Sequence, residues 1–200
     1  LLTLVLFNPA KPRRELFTDM GLVVFIQLAA LVYGLHTAYV ARPLFLVHEV
    51  DRFRVITAGD WGDADVHDTL GRLDASLRLH WLAGPVTVGI RDVRNAEERR
   101  EVMLESAFGG RDYSQRPEFY VPYDSAYRSK VLARAKPLQA FVRHYPGVLR
   151  SATDLLAKPQ VELEDALILP VMHRQEWVAV MNRSARILGF LPGDGFEVQN

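Results

Sequence analysis

Cysteine is absent from all 200 residues. The chain can therefore form no disulfide, offers no thiolate nucleophile and cannot hold zinc or an iron-sulfur cluster through sulfur. Neither sign of charge is in excess, since 24 lysines and arginines are matched by 24 aspartates and glutamates. With no basic stripe in its soluble part, the chain lacks the field that recruits nucleic acid or anionic substrates. Catalytic patterns are missing too. His48, His67, His80, His144 and His173 fall in neither HExxH nor another metal-ligand spacing, and no serine sits in a GxSxG elbow. Gly193-Asp-Gly195 is too short for a phosphate-cradling loop. These absences predict a non-enzymatic protein with no catalytic residue, metal or cofactor. No internal repeat or low-complexity tract suggests an array or a linker.

What the sequence does have is a charge-free run, Met20 to Ala41, long enough at helical rise to cross the hydrocarbon core of a bilayer. A cleavable signal peptide is the rival reading, but the run exceeds a usual apolar region of that kind and an apolar stub precedes it. A buried core helix would carry a polar face, and this run has none. Residues 1–7 read as the end of an earlier transmembrane helix, residues 8–19 as a basic loop around Lys11, Arg13 and Arg14, and residues 20–41 as a transmembrane helix. The positive-inside rule places the loop in the cytoplasm and everything after Arg42 across the membrane, in the periplasm of a diderm bacterium. Gln27, Ala30, Gly34 and Ala38 recur along one narrow stripe. A hydrogen-bonding side chain among small residues is how membrane helices approach closely, so the stripe packs on either the preceding helix or a separate one.

Residues 43–200 are the size of one domain with a real core. Leu44 to Ala58 is rich in aromatic and β-branched residues and reads as a strand or hairpin turning at Val50-Asp51-Arg52. Glu49 and Asp51 read as a solvated face of it rather than as acid and base. The following segment, GDWGDADVHD, gathers four aspartates and a histidine. Asp63, Asp65 and His67 have a calcium loop's alternate spacing, but Asp68 replaces its turn glycine and Asp74 its final glutamate. Asp63 or Asp65 is instead expected to cap a short helix over 66–73. A strand over 86–90 precedes a helix from Asn95 to about Phe108, ended by Gly109-Gly110. Helices are then expected from Ser125, from Pro137 and over 148–157, followed by strands over 167–172, 177–181 and 186–191. Strands at both ends around central helices predict an α+β fold in which the first strands pair with the last.

Between these elements, residues 111–127 (RDYSQRPEFYVPYDSAY) hold four tyrosines, a phenylalanine and two prolines. This is the composition of an ordered loop packed by its own rings. Two readings stay open: a lid over the protein's own core, or a contact surface for a partner formed by Tyr113, Phe119, Tyr120 and Tyr123.

The run LLTLVLFNPAKPRREL, followed by FIQLAALVYGLHTAYVARPLFLVHEVDRFRV, resembles the type IV pilin accessory proteins of the TfpX/TfpZ family. That family shares a Leu-rich "LTL" helix end, a basic NP-K loop and a "LAALxYGL…ARPxxLVxEVDRFxV" segment leading into a periplasmic domain. The resemblance covers residues 1–58, with weaker echoes in RPEFYVPY and in the closing hairpin ending "GxLP". It implies that the first membrane helix and part of the second precede this sequence. It further implies an inner-membrane factor that binds or stabilises a type IV pilin before polymerisation, alongside other pilus assembly components. On that view Gln27, Ala30, Gly34 and Ala38 contact a membrane helix, while the four aromatic residues contact the pilin head. The competing expectation is a membrane-anchored periplasmic sensor or small-ligand-binding module with the aromatic loop as its lid.

Overall fold

The computed structural model describes residues 13–61, 67–80 and 83–198. The earlier span expected over residues 1–7, the start of the basic loop and the capping aspartates 63 and 65 lie outside the described residues. The chain divides into two compact units, residues 1–42 and residues 43–200.

The first unit holds α1 (Arg13–Val40). Within it Phe17–Val40 is long and apolar enough to cross a membrane. The helix begins inside the stretch read as a loop, because hydropathy marks where charge ends and not where backbone hydrogen bonding starts. Thr18 Oγ1 donates to the Arg14 carbonyl at 3.0 Å and Thr37 Oγ1 to the Tyr33 carbonyl at 2.9 Å, so both hydroxyls are satisfied within the helix itself. Past its end, the Arg42 guanidinium lies 4.3 Å from the centre of the Tyr39 ring, a pairing suited to an interfacial anchor.

The second unit is built on a mixed sheet. β1 (Pro43–Glu49) and β2 (Arg52–Thr57) form the expected antiparallel hairpin, with Val50 at φ +55° in the turn. β3 (Val86–Ile90) runs parallel to β1 and antiparallel to β4 (Tyr120–Pro122). β5 (Lys136–Pro137) pairs with β6 (Leu167–Met172), which continues through β7 (Trp177–Met181) to β8 (Ile187–Pro192) as an antiparallel meander. The two halves join where β2 and β6 lie parallel, Phe53 beside Val171, giving the order β4-β3-β1-β2-β6-β7-β8. The pairing of first strands with last therefore holds, and it puts the N-terminal hairpin in the middle of the sheet. β1 is accordingly buried from Leu44 to His48 without alternation.

Helices cover both faces. On one lie Phe45, Val47, Ile56 and Val88, packed with Val102 of α3 (Ala96–Ala107), and further along Ile168, Val178 and Val180, packed with α5 (Leu138–His144) and α6 (Leu149–Ala157). On the other, Leu46, Phe53, Leu169 and Ala179 pack under Val131 of α4 (Ser125–Leu132). The short α2 (His67–Arg72) lies between β2 and β3. Capping chemistry sets the helix starts. The Asn95 side chain accepts from the Glu98 amide at 2.8 Å and the Asp124 side chain from the Tyr127 amide at 2.9 Å. Gly109, at φ +79°, supplies the left-handed residue that stops α3. Pro137 precedes α5 rather than opening it, because it is engaged beside Leu167 in the sheet.

Candidate functional site

On α1 the residues Gln27, Ala30, Gly34 and Ala38 are exposed and share one face. A side chain at Gly34 would meet nothing within 4 Å. Among the described residues nothing covers the stripe.

The aromatic loop resolves differently. Asp112 and Gln115 cap its first turn reciprocally, and Gln115 Nε2 donates to the Asp60 carbonyl at 3.0 Å, tying the loop to the end of β2. Tyr113 stacks on Phe119 at 4.6 Å, and the Tyr120 ring meets Phe45 edge-on at 5.0 Å while its hydroxyl donates to the Ser114 carbonyl at 2.6 Å. Tyr123 donates to the Ala185 carbonyl at 2.9 Å, under α4. Phe119 and Tyr120 are only 2% and 7% exposed. Arg116, 3% exposed, pins the loop to α3 through Glu105. These rings complete the protein's own core, so in this conformation a partner could touch the loop only through its outer atoms. Burial pushes the Tyr123 phenol up to about 12 and that of Tyr120 up as well, which keeps both neutral at physiological pH.

A feature that the strand pattern did not reveal lies at the carboxyl end of the parallel pair β1 and β3. Beyond Val47 and Val88 the Tyr127 hydroxyl inserts between the strands, accepting from the Ile90 amide at 2.9 Å and donating to the His48 carbonyl at 3.3 Å. His48 Nδ1 lies 3.0 Å from the same oxygen. All three contacts are satisfied when the ring carries its proton on Nδ1, which leaves Nε2 as a lone pair; Nε2 is buried without a hydrogen-bond partner among the described residues. His48 is 2% exposed, and burial lowers its pKa to about 4, with Asp51 opposing and Lys130 assisting. A continuous apolar run signals burial on both faces, and that was the available clue that His48 points inward.

Gly89 lies beneath this arrangement. A Cβ there would stand 2.3 Å from the Tyr127 ring, whose hydroxyl is already fixed. Gly89→Ala is expected to cost about 1–3 kcal/mol and to displace Tyr127. Denaturant unfolding with the NMR-followed titration of His48 checks this; an unchanged midpoint and an unchanged titration would refute it.

His48, Ile90 and Tyr127 lie along a groove of about 830 Å³ between α3 and α4. Arg91 binds Glu98 at 2.7 Å and lies 4.3 Å from the Phe119 ring centre, and Lys130 binds Asp92 at 2.9 Å. Together with the Arg94 amide, Arg91 holds the Glu98 carboxyl down at about 2. Glu49 and Asp51, expected on one wet face, are half-buried, and Asp51 pairs with Arg52 at 2.8 Å. Among the described residues no group of three or more histidines and carboxylates is placed to hold a metal ion.

No protein-family model matches the chain, and no solved structure resembles it significantly. Curated proteins do. A fimbrial assembly protein of serogroup I from Dichelobacter nodosus is 35% identical over 99% of this chain and 76% of its own length. The serogroup E1 protein from the same organism is 34% identical over the same shares. A fimbrial assembly protein of serogroups C1 and C2 is 45% identical over 60 residues, 30% of this chain and 46% of its own. Similarity at this level along nearly the whole chain leads to one conclusion: the protein belongs to the fimbrial assembly protein family.

Proposed function

We propose that this protein is a membrane-anchored, non-enzymatic factor of type IV fimbrial assembly that binds or stabilises a pilin subunit before polymerisation. The observation that carries the reading is similarity to fimbrial assembly proteins over 99% of a chain that joins an apolar helix to a folded α+β domain. The basic residues ahead of the apolar span, Lys11, Arg13 and Arg14, favour a cytoplasmic N-terminal side and a periplasmic domain. A subunit waiting in the same membrane meets the open stripe of Gln27, Ala30, Gly34 and Ala38 in two dimensions. The shared bilayer raises the effective concentration of even a weak helix contact.

Gly34→Leu fills the stripe without adding charge. It is expected to lower the pilin recovered with the protein from native membranes by about tenfold, which corresponds to one interhelical contact of 1–2 kcal/mol. Equal recovery with a stably folded variant would remove the stripe from the proposal.

A further inference from the structure

We infer that the groove between α3 and α4 is the soluble domain's docking site for an acidic polypeptide segment anchored by an apolar side chain. The inference rests on the preceding reading in taking that segment to belong to the pilin subunit.

Charge supplies the first argument. Of the basic side chains along the groove, Arg91 is committed to Glu98 and Lys130 to Asp92. Arg99 and Arg134 also line it, and among the described residues neither has an acidic partner. Glu49 is the lining carboxylate without a salt bridge, so the uncommitted charge is net positive. An incoming carboxylate finds two guanidinium groups with donors to spare, whereas an incoming cation finds Asp92 already occupied.

The second argument concerns apolar surface. α3 buries Val102 yet leaves Met103, on the groove wall, 65% exposed. Val50, in the β1–β2 turn across the groove, is 69% exposed. Apolar exposure on both walls of a groove marks a binding surface. Met103 and Val50 stand on the two walls of this one, an arrangement that suits an extended polypeptide laying one apolar side chain between them. Position agrees, because ligands of mixed sheets bind beyond the carboxyl ends of parallel strands, where this groove opens.

The test places a photo-reactive residue at Met103 or at Gly34 of the full chain in native membranes containing pilin, with adducts identified by mass spectrometry. Each position is assayed with and without Arg99→Glu and Arg134→Glu. The expected result is a pilin adduct from both positions, with the Met103 adduct reduced about tenfold by charge reversal and the Gly34 adduct retained. If the reversed variant resists folding, Arg99→Gln with Arg134→Gln replaces it and the adduct is expected to fall several-fold. A Gly34 adduct without a Met103 adduct overturns the groove and leaves the pilin reading standing. Absence of both removes that reading along with the groove. A Met103 adduct to lipid alone, or one to pilin that is indifferent to the arginines, also overturns the inference.

Discussion

Truncating Phe119 to alanine is expected to destabilise the soluble domain by about 3–5 kcal/mol, the range for losing a fully buried aromatic side chain. The side chain is buried in the core cluster that also holds Phe45, Ile56 and Trp61, stacks on Tyr113 and carries the Arg91 guanidinium on its face. Cavity, stacking and cation–π terms are lost together, while Arg91 keeps Glu98. In thermal unfolding of the detergent-solubilised chain the midpoint should drop by roughly 10 °C or more. A ring acting only as a contact surface would leave stability within about 0.5 kcal/mol on truncation. The size of the shift thus decides between the two roles that the composition of the loop allowed.

Acidification should produce the second large effect, through His48. Its pKa is about 4 in the folded protein against 6.5 for the free side chain. Above pH 6.5 the ring is neutral in both states and its titration costs nothing. As the pH falls from 6.5 the unfolded chain takes up a proton that the folded chain refuses, so stability falls until about pH 4, by a total of about 3 kcal/mol. The lowered carboxyls act in a different window. Glu98, Glu105 and Glu197 are all held below the ordinary glutamate value of 4.5, so the stability they contribute is lost only as the pH falls below that value. Urea unfolding between pH 7 and pH 4.5 therefore reports mainly on His48. A His48→Asn variant should be less stable at neutral pH and nearly flat across that interval. A slope that survives the substitution would assign the dependence to other groups.

Much of the domain was legible because its strands are short, apolar and bounded by turn residues. β3, β6 and β7 begin and end where the pattern predicts, and Asn95 and Asp124 cap the helices they precede. The Glu98 side chain accepts from the Arg94 amide and from the Arg91 guanidinium, both at 2.7 Å. The parallel pairings of β1 with β3 and of β2 with β6 were not legible, since local pattern carries no information about partners distant in sequence. For the same reason composition identified the rings of residues 113–123 without showing that the surface they cover is the protein's own. His48 was missed because it sits among apolar neighbours on a strand taken to have one wet face. The groove was missed with it, since its walls come from stretches of chain far apart in sequence, residues 48–50, 90–103, 113 and 127–134.

The central place of the β1–β2 hairpin carries a kinetic consequence. The strands made first are flanked on one side by β3 (Val86–Ile90), which can close the β1 edge soon after synthesis, and on the other by β6 (Leu167–Met172), so the β2 edge stays open until much later residues arrive. Pairing of Phe53 with Val171 requires closing a loop over most of the domain, the kind of contact that slows folding. During that delay the hairpin presents its β2 edge unpaired beside its siblings from other ribosomes, an arrangement prone to strand-to-strand aggregation. Chains halted before residue 167 should accordingly be cleared by proteolysis or accumulate as aggregates, while completed chains bury the same residues at the centre of the sheet.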